Sequence, residues 1–249
     1  MKSKQSNTPI QDSIKTNQLF WIYILISIFS ISYFTMGNTV SSYVSGIYTY
    51  LFMAFWGYLM HYISHSYNFT ELYQQSTNFI LKKCHNISII NKIIETILEI
   101  TIDFHAIIHH DSSINRNPTN VIIEFIQNFL TQGGFLIILN NYISPTFIIS
   151  LKSSVNPFKI LLNNNILLLW ALFYATVHNI NYRIIEPIEH ENHHKDEKTN
   201  YGIDIVDIIL NSKYNTKHKS NIPITIEDHN HAAINIVIIT ILILWPYLK

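Results

Sequence analysis

The sequence predicts an all-α fold: an integral membrane helical bundle of about four transmembrane or half-buried helices, with a cytoplasmic helical cap. Three observations carry that expectation. The 249 residues are 48% hydrophobic and only 13% charged, apolar for a soluble chain. Several apolar runs approach the ~20 residues needed to cross a hydrocarbon core. The 13 histidines gather largely at the edges of those runs, in groups with helical spacing, and strand-like alternation is weak.

Taken in order, residues 1–17 are polar, carry Lys2, Lys4 and Lys15, and read as a loose N-terminal tail. Residues 18–249 read as a single membrane-embedded domain. Its first span, "LFWIYILISIFSISYFTM" from Leu19 to Met36, is uncharged. A short "GNTVSS" turn leads into "YVSGIYTYLFMAFWGYLM", Tyr43 to Met60, and the two make a helical hairpin whose exit is marked at once by "HYISH". Residues 66–120 are mixed and polar, with Lys82, Lys83, Lys92 and Arg116; the positive-inside tendency puts them on the cytoplasmic side with the N-terminus. Two further apolar stretches, Val121 to Leu151 and Ile160 to Val177, are interrupted by Glu124, Asn128, "QGG" and "NNN". They read as a second hairpin or as half-buried helices. An even number of crossings returns the following histidine-rich segment to the first side. The last stretch, Ala232 to Leu248, is a little short for a span.

Lysine plus arginine balance aspartate plus glutamate at 16 each, so no basic field is available to hold nucleic acid by its phosphates. Cys84 is the single cysteine, which excludes an intrachain disulfide. Asn68 in "NFT" and Asn86 in "NIS" fit the glycosylation pattern, but a cytoplasmic placement keeps both unmodified.

Nine histidines are candidate metal ligands. His61 and His65 are four residues apart and project from one helix face. His105, His109 and His110 lie in "FHAIIHH"; His190, His193 and His194 lie in "HENHH"; His178 ends an apolar stretch. Nine imidazoles overfill one zinc site but suit two metal ions. Few carboxylates accompany them, which favours iron that activates dioxygen over the glutamate-rich soluble di-iron bundles. "HENHH" has two readings. As H-E-x-x-H, His190 and His194 bind zinc and Glu191 activates water in a membrane protease. As H-x-x-H-H, His193 becomes a ligand. His229 and His231, which precede the last apolar run, stay open.

These residues resemble the fatty acid hydroxylase and sterol desaturase superfamily of membrane di-iron enzymes. The similarity runs through "HYISH", "FHAIIHH", "HNIN", "PIEHENHH" and "NYGIDIVD", from about Met60 to Tyr214. Pro187, Asn200, Tyr201, Gly202 and Asp207 fall in the family order around the last box. The middle box is one residue longer than the family pattern, and "NSKY" replaces a Gly-Thr segment. The resemblance implies two non-haem iron ions, dioxygen as co-substrate, and a fatty acyl or sterol-like lipid hydroxylated at a C–H bond. It also implies an electron donor such as cytochrome b5 or a ferredoxin with its reductase. It implies a multi-pass location, the endoplasmic reticulum in a eukaryotic host, with the histidine boxes cytoplasmic. The alternatives are a lipid desaturase of the sterol or plasmanylethanolamine type, the zinc protease, and an inactive metal-binding relative.

Overall fold

Thr8 opens the first helix with a reciprocal cap. Its hydroxyl accepts the Gln11 N–H at 3.3 Å, and its own N–H donates to Gln11 Oε1 at 2.9 Å, with Pro9 pre-set at the first helical position. The resulting helix α1, Pro9–Thr16, corrects the expectation of a loose tail over residues 1–17. Its Ser13 is buried and donates to Asp204 Oδ2 at 3.5 Å. The computed structural model describes residues 8–67, 69–83, 91–94, 118–142, 149–151, 158–214 and 224–249. His105, His109 and His110, together with Asn68, Cys84 and Asn86, lie outside the described residues.

Contacts divide the chain into two compact units, Met1–Met60 with Phe125–Lys249, and His61–Glu124. The larger unit is built from apolar helices: α2 (Gln18–Met36), most of α3 (Val40–Ser66), α5 (Pro118–Phe129) from Phe125, α6 (Phe135–Tyr142), α7 (Asn164–Thr176) and α11 (Ala233–Leu244). The smaller unit holds the end of α3, helix α4 (Phe69–Lys83) and the start of α5. Among the described residues the fold is all-helical, as expected, apart from one short antiparallel pair, β1 (Ile149–Leu151) with β2 (Phe158–Ile160).

Among the described residues, three helices are long and apolar enough to cross a membrane: Gln18–Met36, Pro118–Tyr142 and Asn230–Tyr247. The last is longer than its α-helical part because 3-10 turns at Asn230–Ala232 and Trp245–Tyr247 extend it at both ends. Helix α3, at 27 residues, is not among them, since its tyrosines, serines and glycines dilute its apolar run. Leu19, Ile22, Leu25, Ile26 and Phe29 on α2, and Ile234, Ile238, Ile241 and Leu242 on α11, stay exposed. Apolar surface of that kind suits contact with lipid.

Polar pins fix the helix directions. The Phe20 N–H donates to Asn230 Oδ1 and Thr240 Oγ1 to Ser27 Oγ, so α2 and α11 run in parallel. Asn163, whose side chain caps α7 by accepting the Asn165 and Ile166 N–H groups, donates to Thr35 Oγ1, while Phe20 packs on Phe173; α7 therefore runs antiparallel to α2. Ser45 and Thr49 of α3 accept the N–H groups of Leu161 and Asn163. Small and hydroxylated residues at helix contacts are how apolar helices pack closely in lipid, each such bond contributing ~0.6 kcal/mol. The core between α2, α3, α7 and α11 holds Ile24, Ile28, Met53, Ile166, Leu167, Leu169 and Ile236. This alternation of directions gathers the N-terminus of α2, Tyr58 near the end of α3, the C-terminus of α7 and the segment before α11 at one end of the unit.

Between α5 and α6 the chain kinks over Leu130–Gly134, where Gly133 leaves helical geometry with φ 150°. A Cβ there would stand 3.1 Å from the Leu167 carbonyl oxygen and 3.2 Å from Ala171 Cβ, so both the dihedral and the close approach to α7 require glycine. Trp56 Nε1 donates to the Thr131 carbonyl in the same segment at 2.9 Å. Gly133→Ala is expected to destabilise the fold by about 1–3 kcal/mol, read as a lowered Tm in detergent; an unchanged Tm would contradict the kink as a fixed feature.

Candidate metal centre

The end of α7 aims the first histidine. After Thr176 the helix widens into a π-helical turn, Val177–Asn181, in which His178, Asn179 and Asn181 are buried. One extra residue in the turn rotates the following side chains relative to a regular helix. Helix α8 (Tyr182–Ile185) then stops at Glu186, which adopts the left-handed conformation with φ 50°, and Pro187 in extended geometry starts α9, Ile188–Lys195. That reversal brings His178 against His190, with ring centroids 5.0 Å apart and planes at 88°. Tyr182 lies against both, 5.6 Å from His178 and 4.8 Å from His190.

On α9 the spacing 190, 193, 194 puts three imidazoles on one side. His190 Nε2 and His194 Nε2 stand 3.0 Å apart, and the rings of His193 and His194 are 5.9 Å apart. Glu191 faces away, with its carboxylate 2.7 Å from Lys195 Nζ in a solvent-exposed pair. His193 is the most enclosed of the three, 1% exposed. Its Nδ1–H donates to the Thr199 carbonyl at 2.6 Å, which fixes the neutral tautomer and leaves the Nε2 lone pair as the basic nitrogen. Burial, partly offset by the Thr199 hydrogen bond, lowers its pKa from 6.5 to about 4. The ring stays unprotonated at neutral pH, the state a metal ligand needs.

The loop that presents the Thr199 carbonyl is held by the residues the sequence singled out beside the last box. Asn200, left-handed at φ 53°, donates to the Glu189 carbonyl at 3.0 Å and accepts the Tyr214 N–H at 3.1 Å. Asp207, fully buried in α10 (Asp204–Ile209), accepts the N–H groups of Tyr201 and Gly202 at 3.0 and 2.9 Å and the Ser212 hydroxyl at 2.6 Å. Burial pushes its carboxyl up to about 6 against the pull of those donors. Tyr201 meets His193 edge-on at 6.2 Å and Tyr58 of α3 at 5.6 Å. A Cβ on Gly202 would come within 3.3 Å of Tyr58 Cβ, so glycine permits this close approach. Pro187, Asn200, Tyr201, Gly202 and Asp207 thus form the frame around His193.

Lys213, Glu189 and Asp204 carry chemistry that sequence reasoning did not single out. All three are buried, and Lys213 Nζ pairs with Asp204 Oδ1 and, at 3.4 Å, with Glu189 Oε2. Burial works against the Lys213 charge, but the two carboxylates outweigh it and hold the ammonium above its ordinary pKa. No local signal marked Lys213: Ile209, Leu210 and Asn211 just before it are exposed and Tyr214 after it is half-buried. Glu227, also buried, has its pKa raised by burial and accepts the Tyr182 hydroxyl. Its Oε1 lies 3.5 Å from His229 Nδ1.

On α3, three residues beyond Tyr58, His61 is buried; its ring lies 5.2 Å from that of His65, one turn further on. Helical spacing thus brings together His61 with His65, and His190 with His193 and His194, while the reversal at Glu186 and Pro187 adds His178 beside His190. His231 instead joins Asn181, whose Nδ2 lies 3.1 Å from its Nδ1. Compared with known proteins, the chain matches no family model, no curated protein and no solved structure.

The depressed pKa of His193 has a definite sign. The folded value, about 4, lies below the ordinary 6.5, so its contribution to stability is complete above pH 6.5 and is lost as pH falls through 4, by roughly 3 kcal/mol in all. In metal-free protein, the stability gap between wild type and His193→Gln is expected to narrow from pH 7 to pH 4 in chemical unfolding. A gap that stays constant over that range would contradict the assignment.

Proposed function

We propose that the chain is a membrane di-iron oxygenase that hydroxylates a C–H bond of a lipid. The observation that carries the reading is His193: buried, neutral, and oriented through its Nδ1–H by the Thr199 carbonyl, as a metal-binding imidazole is. The ligand set in this reading is that of the sequence boxes: His61, His65, His105, His109, His110, His178, His190, His193 and His194. Imidazole-only ligation of this size suits two iron ions. When bound, the two irons supply the activation of dioxygen and the oxidising power, with electrons from a cytochrome b5-like or ferredoxin-like donor.

The chain's own residues do the rest. Thr199, held by Asn200 and Asp207, keeps the His193 proton on Nδ1. Tyr201, itself packed against Tyr58, meets that ring edge-on and limits water around it. The Glu189–Lys213–Asp204 cluster supports α9 from beneath with its charges mutually paired. In this reading the apolar helices form a multi-pass bundle, the histidine-bearing end is its cytoplasmic cap, and the lipid's chain lies among or beside those helices. Glu191, paired with Lys195 at the surface, has no part in the chemistry, which weighs against the H-E-x-x-H protease reading.

Lipid analysis of a host expressing the chain tests the proposal. Wild type is expected to yield a new hydroxylated lipid, His193→Ala with His194→Ala to abolish it, and Glu191→Gln to leave it within about twofold. A new alkene in place of the alcohol would convert the reading to a desaturase. Unchanged lipid with wild type, or loss of product with Glu191→Gln alone, would overturn it.

A further inference from the structure

The larger unit buries a second set of polar side chains, away from the histidines, around the kink between α5 and α6. Gln132, Trp170, Tyr50 and Asn128 are each more than nine-tenths buried. Gln132 Oε1, Trp170 Nε1, the Tyr50 hydroxyl and Asn128 Nδ2 make no hydrogen bond. An unsatisfied polar group buried in an apolar surround costs about 1–3 kcal/mol, and four in one helix bundle form a recurring feature that native cores otherwise avoid.

They are also near one another. From the point a Cβ would occupy on Gly57, Gln132 Oε1 is 2.7 Å away and Trp170 Nε1 3.6 Å, so an acceptor and a donor flank one spot on α3 without bonding each other. The Tyr50 ring meets the Trp170 ring edge-on at 5.4 Å. Asn128 lies one turn before Gln132 on the same helical face.

The chemistry of the four atoms selects a ligand. Indole N–H can only donate and the Gln132 carbonyl oxygen can only accept, whereas a phenol does either. A single alcohol oxygen satisfies both: it accepts from Trp170 Nε1–H and donates to Gln132 Oε1. None of the four residues is cationic, so nothing in the set neutralises a carboxylate or phosphate. Gln132 lies within an apolar helix long enough to cross a membrane, and a ligand reaching it from lipid must itself be largely apolar.

We propose that Gln132 and Trp170, with Tyr50 and Asn128 beside them, form a site within the helix bundle that binds the hydroxyl group of a neutral lipid alcohol. Trp170 precedes His178 by eight residues on one helical path, roughly 12 Å of rise. A lipid alcohol anchored at Trp170 therefore extends its apolar part toward the histidine end. That this lipid is the oxidised substrate rests on the oxygenase reading; that it binds does not.

The test uses the full chain, metal-free, in phosphatidylcholine nanodiscs, with tritiated cholesterol and tritiated octadecanol as probes and octadecane and octadecanoate as competitors. Saturable binding of either alcohol is expected, sterol or straight-chain according to which the bundle accommodates, with octadecane and octadecanoate failing to compete. Trp170→Phe and Gln132→Met are each expected to weaken binding by about 3- to 10-fold. Binding is also expected to shift the tryptophan emission of wild type and of Gln132→Met but not of Trp170→Phe, a readout available from whichever variant folds. The proposal is overturned if neither alcohol saturates, if octadecanoate or octadecane competes equally well, or if both variants bind as wild type does. Alcohol binding that persists in a His193→Ala chain that forms no oxidised lipid would keep this site while leaving the oxygenase reading to its own test. An oxidised lipid formed without alcohol binding would do the reverse.

Discussion

One hydrogen bond organises the histidine end of the chain: the Nδ1–H of His193 donated to the Thr199 carbonyl. A buried imidazole without a fixed partner would be a poor metal ligand, because its tautomer and ring angle would be unset. The carbonyl is in turn only as fixed as the loop that carries it. Asn200 ties that loop back to α9 through the Glu189 carbonyl, and Asp207 gathers the N–H groups of Tyr201 and Gly202. Glu189 then connects to Lys213 and Asp204, and Asp204 to the backbone of Glu227. The network places several polar groups in an interior where each would be costly alone, and pairs them.

The same logic separates the two polar regions of the larger unit. In the loop beside His193, from Thr199 to Ser212, the buried donors and acceptors are matched within the chain, which is what a rigid ligand frame requires. Around Gly57 the matched pairs are missing: Gln132, Trp170 and Tyr50 bury polar atoms without using them. A matched network makes a scaffold; an unmatched set in an apolar bundle suits recognition of a polar group brought by a ligand.

Much of this was legible in the sequence where a single local rule governed. The uncharged run from Leu19 and the run from Tyr43 became α2 and α3 because nothing in them competes with a helix. The grouping of His190 with His193 and His194 followed from i, i+3, i+4 geometry. The role of Asn200 and Asp207 beside the site was expected from resemblance, and their bonding gives it a physical form. What failed was non-local. The capping box of α1 at Thr8 and Gln11 was passed over because the segment is polar, yet Ser13 finds its partner at Asp204, far along the chain. Nothing in the sequence singles out Lys213, because only the fold brings the two carboxylates to it. The kink at Leu130–Gly134 and the π-helical turn at Val177 leave little periodic signal, though "QGG" marks the first as a break.

In the proposed reading the histidines would hold two iron ions by imidazole nitrogen. Metal analysis of the purified full chain, combined with X-ray absorption at the iron edge, tests it most directly. The account predicts about two irons per chain, a coordination shell dominated by nitrogen, and loss of iron on His193→Ala. One zinc and no iron per chain, or iron retained in full by His193→Ala, would contradict it.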